Sequence, residues 1–258
     1  MATVSAVAAR QDIIAFLDDL LDAPAFEDYG PNGLQVVGAE EVSTVVTGVS
    51  AHLELFRRAA AEGAQMVLCH HGMFWGKQPL VIDAQRRERL EALFAADMSL
   101  AAYHLPLDAH PEVGNNALIC EALGLDRAEP FGEHAGRAVG FVGRAPEPLA
   151  RGELIERCRR AFEREPLAFE YGPDPVRTVG VISGGAASSL AEAADLGLDA
   201  FVTGEPSEPA MADARERGIT FVAGGHWATE TFGVRRLGDL LADRFGVSHR
   251  FVAISNPV

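Results

Sequence analysis

The chain has 258 residues, 48% of them hydrophobic and 23% charged, a composition that excludes intrinsic disorder and supplies a real core for one large or two modest domains. Its net charge is −15, with no cluster of Lys or Arg. The average field therefore disfavours a nucleic-acid backbone or an anionic membrane surface, whereas a small anionic substrate can still be met by a local site.

From the N-terminus, "MATVSAVAARQDIIAFLDDLLDA" runs into charged residues instead of a cleavable apolar core, and no stretch reaches the roughly 18 to 20 apolar residues of a membrane span. A cytoplasmic location is expected. Within it Ile13, Ile14, Leu17, Leu20 and Leu21 form a helical stripe, which predicts a packing helix. Cys69, Cys120 and Cys158 have neither CxxC nor metal-finger spacing and read as reduced structural thiols.

The strongest organisational signal is an internal repeat. "TVVTGVSAHLELFRRAAAEGAQMVLCHHG" from Thr44 aligns with "TVGVISGGAASSLAEAADLGLDAFVTGEP" from Thr178. Each copy reads as strand, tight turn, helix closed by a glycine (Gly63, Gly197), and a second strand ending in polar residues. A further apolar run follows in each, "MSLAAYHLPLD" and "ITFVAGGHWATE", ending in His104 with Asp108 and His226 with Glu230. The first copy holds extra residues, placed in "MFWGKQPLVIDAQRRERL". The expected fold class is α/β, two pseudo-symmetric lobes from a duplicated βαβ-type unit, divided as 1–125 and 126–258.

Polar ligand types thus gather at strand ends, where open α/β sheets place their sites. His226 and Glu230, four apart in the opening turns of an amphipathic helix, would share one face. Pro106 biases Leu105 toward an extended conformation, which puts His104 and Asp108 in a loop. His70 and His71 pose a different question, because neighbours in a strand point to opposite faces; a kink at the strand end would let each serve a different ion. Imidazole with carboxylate suits Zn, Fe or Mn. His52, His110, His134 and His249 read as hydrogen-bonded core or surface residues. "SGGAASSL" reads as a tight turn, and the Glu208 carboxylate of "GEPSEP" as a surface group.

"YGPNGLQVVG", "HHG", "HLPLD" with "GNNALICEALGL", "VTGE" and "GHWATE" occur in the order and spacing that resemble the GTP cyclohydrolase 1 type 2 homologue family, the dinuclear metal-centre, NGG-interacting-factor-three-like proteins. The resemblance runs from about Ile13 to Val252. It implies two interlinked lobes with a dinuclear metal site between them and a toroidal homohexamer. Two divalent ions per chain (Zn, Fe or Mn) would be held by His70, His71, Asp108 and His226, with Glu230 bridging. His104 and Glu205 would serve catalysis, and Asn32, Gln35 and Asn115 would contact a small-molecule substrate. The implied function is metal-dependent hydrolysis of a nucleotide or related small molecule, of cyclohydrolase or phosphoesterase type. The alternative is a non-catalytic metal-binding scaffold, regulatory or metal-handling protein.

Overall fold

The computed structural model describes residues 6–79 and 81–258. The start of the N-terminal reading and Leu80 of the inserted stretch lie outside the described residues. The chain forms two compact units, one running to Leu107 and resuming over Gly233–Ile254, the other comprising Asp108–Phe232 and Ser255–Val258.

The strands in chain order are β1 (Ala8–Ala9), β2 (Gly33–Val36), β3 (Glu41–Val42), β4 (Thr44–Ser50), β5 (Met66–His71), β6 (Ser99–Ala102), β7 (Asp126–His134), β8 (Arg137–Leu149), β9 (Leu167–Glu170), β10 (Val176–Val181), β11 (Ala200–Thr203), β12 (Thr220–Ala223) and β13 (Ser248–Phe251). The first unit holds a five-stranded sheet of order β13-β4-β5-β6-β2. Its members run parallel except β2, which is antiparallel to β6. Helices Leu53–Ala61 and Ala84–Ala95 make the crossovers from β4 to β5 and from β5 to β6. Val46, Val67, Cys69 and Leu100 from the central strands pack with Phe56 and Leu93 from those helices. These strands are buried along most of their length because a parallel sheet flanked by crossover helices is covered on both faces.

The second unit holds a six-stranded sheet of order β7-β8-β10-β11-β12-β9. Strands β10, β11 and β12 are parallel, with β9 antiparallel on β12 and β8 antiparallel on β10. The aligned sequence segments follow the same strand, helix, strand path in each unit, and the helices of both end where Gly63 and Gly197 take positive φ.

Three local expectations are corrected. The boundary between the units is not the simple 1–125 and 126–258 division, because Ser248–Phe251 pairs in parallel with Thr44–Thr47 and returns the C-terminal segment to the first unit. Leu105–Ala109 is a short helix and not a loop, since proline in a first helical turn forfeits no intrahelical hydrogen bond. The helix expected to continue unbroken from His226 is two, His226–Thr229 and Thr231–Phe245, separated at Glu230.

Candidate metal centre

In the first unit the cluster begins at the end of β5. Pairing with β6 stops at Cys69, and beyond it the imidazole rings of His70 and His71 lie only 4.7 Å apart instead of on opposite faces. His70 is fully buried and His71 half-buried. His104, just past β6, brings a third ring, 5.0 Å from His70 and 5.4 Å from His71. One ring nitrogen from each of the three lies within 4.8 Å of the others, a group able to hold a metal ion.

Hydrogen bonds set the chemistry of these rings. His70 Nδ1 lies 3.0 Å from the backbone oxygen of Tyr103, which can only accept, so Nδ1 carries the proton and Nε2 keeps a lone pair. That is the tautomer a metal ligand needs. Tyr103 is itself fixed, its ring fully buried and its hydroxyl donating to Asp18 Oδ1 at 2.7 Å. His71 Nδ1 is 3.2 Å from Ser50 Oγ. His104 Nδ1 is 2.7 Å from Asp28 Oδ1. Burial alone would raise the Asp28 carboxyl, but hydrogen bonding and charge attraction from His104, with bonds from Asn32 and Leu105, outweigh it and hold the group near 2. Nothing in "FEDYGPNG" marks Asp28 as different from its acidic neighbours.

The motif amides are engaged in the same framework. Asn32 accepts from the His104 backbone N–H at 2.8 Å and donates to Asp28 at 3.0 Å. Gln35 accepts from Met73 N at 2.8 Å and donates to Pro31 O at 2.7 Å. A Cβ added at Gly72 would sit 2.2 Å from the Gln35 amide nitrogen. The glycine of "HHG" and the glutamine of "NGLQ" are therefore one packing unit.

In the second unit His226 stands between two carboxylates. Its Nε2 is 3.1 Å from Glu230 Oε1 and its Nδ1 contacts Glu205 Oε1. Burial lowers the affinity of His226 for a proton, yet Glu230 and Glu205 together push it up to about 9, so this position favours positive charge. Glu230 is almost fully buried and half-exposed Glu205 closes the end of β11. Gly184, with φ +64°, lies against the pair: a Cβ there would be 2.3 Å from Glu230 Oε1 and 3.3 Å from His226 Nε2. The "SGGAASSL" turn gives that carboxylate its room. Asp108, also buried, accepts from Asn115 Nδ2 at 2.8 Å and Ser183 Oγ at 3.0 Å. Ser183 and its turn were read from sequence without any link to Asp108.

The donor chemistry fits divalent first-row ions, since imidazole nitrogens together with a buried carboxylate suit Zn, Fe and Mn. Three of the remaining histidines do other work. His52 Nδ1 accepts from Leu55 N, His110 Nδ1 accepts from Glu112 N and Val113 N, and His249 joins Thr47 to Asp239. Cys69 is buried in the apolar core, and burial drives its thiol far above the ordinary range.

A family model described as Duf34/NIF3 (NGG1p interacting factor 3) matches residues 8–257. A Pseudomonas aeruginosa protein named GTP cyclohydrolase 1 type 2 homolog is 42% identical, covering 96% of this chain and 98% of that one. A protein of the same name from Archaeoglobus fulgidus is 39% identical over 94% of this chain and 97% of its own. Among solved structures, protein ybgI, described as of unknown function, superposes with a TM-score of 0.92 at 38% identity over 97% of this chain and all of that one. TTHA1606 from Thermus thermophilus gives 0.90 at 35% identity, with the same coverages.

Proposed function

The chain belongs to the Duf34/NIF3 family, and from that premise we propose that it is a dinuclear metal protein that hydrolyses a nucleotide or related small molecule. The observation that carries the reading is the group of His70, His71 and His104, three imidazoles whose ring nitrogens converge within 4.8 Å. Curated relatives named GTP cyclohydrolase 1 type 2 homolog support hydrolysis as the reaction class.

In this proposal His70, His71, Asp108, His226 and Glu230 would hold two divalent ions. When bound, such ions supply Lewis acidity, polarising the group under attack and acidifying water. The chain's own residues do the rest. His104 offers a nitrogen that accepts a proton during the reaction, and Glu205 orients His226 through Nδ1 so that Nε2 is its ligand atom. Asn32, Gln35 and Asn115 serve substrate binding by fixing His104, the turn after His71 and Asp108. The protein assembles as a homohexamer in the cytoplasm, an assembly that light scattering at micromolar concentration checks: a monomer would refute it.

Elemental analysis of protein purified without chelator and then reloaded with Zn, Fe or Mn is expected to give two ions per chain. Turnover of a panel of nucleotides, phosphoesters and heterocycles is expected to vanish on chelation and return with metal. A His70→Ala, His226→Ala double variant that keeps two tightly bound ions would overturn the ligand assignment. Loaded protein that turns over nothing in the panel and transfers metal to an apo-protein would replace hydrolysis with metal handling.

A further inference from the structure

We propose that Asp28 is a positioning residue that locks His104 in its Nδ1–H form and makes Nε2 the nitrogen His104 offers to the histidine cluster. The inference deepens the metal-centre reading and rests on it for its functional meaning, although the tautomer it assigns can be read without any ion.

Four donors converge on one buried carboxylate. Oδ1 receives the backbone N–H of Tyr29 at 2.6 Å and faces His104 Nδ1 at 2.7 Å; Oδ2 receives Asn32 Nδ2 at 3.0 Å and the backbone N–H of Leu105 at 2.9 Å. The Asp28 side chain is 1% exposed. Backbone N–H and amide NH2 groups can only donate, so Asp28 is an ionised acceptor on both oxygens. The imidazole nitrogen alone could play either role, and opposite a carboxylate it must donate. A neutral imidazole with its proton on Nδ1 carries its lone pair on Nε2.

The ring has little freedom to depart from this arrangement. Asn32, which donates to Asp28, also accepts from the His104 backbone N–H, so one amide ties the carboxylate to the histidine it holds. Trp75 meets the His104 ring edge-on at 5.3 Å, and Tyr29 lies 6.0 Å away. Asn at position 28 would be nearly the same shape, yet its NH2 would have to face donors on whichever side it took. The charge and acceptor capacity of Asp28 are thus what the surroundings demand, beyond its volume.

The test is 15N NMR of full-length protein labelled in histidine, with the His104 signals assigned through His104→Ala. Metal-free wild type is expected to show a pyrrole-type signal at His104 Nδ1 and a pyridine-type signal at Nε2. Asp28→Asn is expected to mix the His104 tautomers while leaving zinc affinity and the circular dichroism spectrum as in wild type, because His104 is not among the ligands. A wild-type His104 protonated on Nε2 would overturn the proposal, as would Asp28→Asn with the wild-type tautomer. The wild-type spectrum decides even where the variant misfolds. Zinc that shifts the His70 and His71 signals while His104 has the opposite tautomer would refute the role of Asp28 and leave the metal reading standing. Zinc that shifts none of the three would refute the metal reading instead.

Discussion

Replacing Gly184 with alanine should separate the room that Glu230 needs from the backbone freedom that any left-handed glycine provides. Gly184 has φ +64°, and its added Cβ would fall 2.3 Å from Glu230 Oε1, far inside van der Waals contact. A Cβ at Gly197, where φ is +71°, would meet nothing within 4 Å among the described residues. Both substitutions carry the left-handed penalty of an L-residue, about 1 to 2 kcal/mol. Only Gly184→Ala adds the cost of an over-packed site, about 1 to 3 kcal/mol, because Glu230 is buried and held by His226. At roughly 2 to 4 °C per kcal/mol for a chain of this size class, Gly197→Ala should lower Tm by about 2 to 8 °C and Gly184→Ala by clearly more. Calorimetric metal titration then supplies the decisive contrast: Gly197→Ala should bind zinc like wild type, and Gly184→Ala at least about tenfold more weakly, since the carboxylate must leave its place. Equal zinc affinity in the two variants would refute the argument that this turn makes space for a ligand.

Other outcomes follow from neighbouring features. Gly72→Ala alone should be destabilised by the clash with Gln35, whereas the Gly72→Ala, Gln35→Ala pair should recover part of that loss, a non-additivity that denaturation of all three variants would measure. His104→Ala should lower turnover by about 10² to 10⁴ while two ions remain by elemental analysis, whereas His226→Ala should lower ion content as well. Burial pushes the Cys120 and Cys158 thiols up to about 12 and Cys69 higher still. No thiol should therefore react with a disulfide reagent at pH 8 before unfolding. Because the folded values lie above the unfolded one, stability from these thiols is complete below about pH 9 and is lost as pH rises through the folded values, a decline that thermal melts across alkaline pH would show.

The sequence was most legible where function and local pattern coincide. "HHG", "HLPLD" and "GHWATE" end apolar runs, and the paired strand-helix-strand segments declare themselves through hydrophobic periodicity and the glycines at 63 and 197. Asp28 was illegible because its significance comes from donors brought to it by folding, one of them His104, far along the chain. Ser183 and the Tyr103 carbonyl were hidden for the same reason: a hydroxyl or a main-chain oxygen becomes informative only once its partner is known. Pro106 misled in the other direction. Its bias against helix in the preceding residue is real, but a first-turn proline is compatible with the short helix that carries Asp108. Glu230 likewise sits at a break between two helices that a continuous amphipathic pattern concealed.

The pairing of β13 with β4 has a consequence for biosynthesis. Strand β4 emerges from the ribosome well before its partner, Ser248–Phe251. Until then the β4 side of the sheet is an open edge of unpaired main-chain groups, a template on which another nascent chain could add a strand. A fragment ending at residue 125 would keep that edge permanently, so expressing residues 1–125 by themselves should yield aggregates where residues 1–258 yield folded protein. Completion of the first unit therefore waits until the strands of the second have been made, which makes termination before Ser248 a route to aggregation and not to a working half.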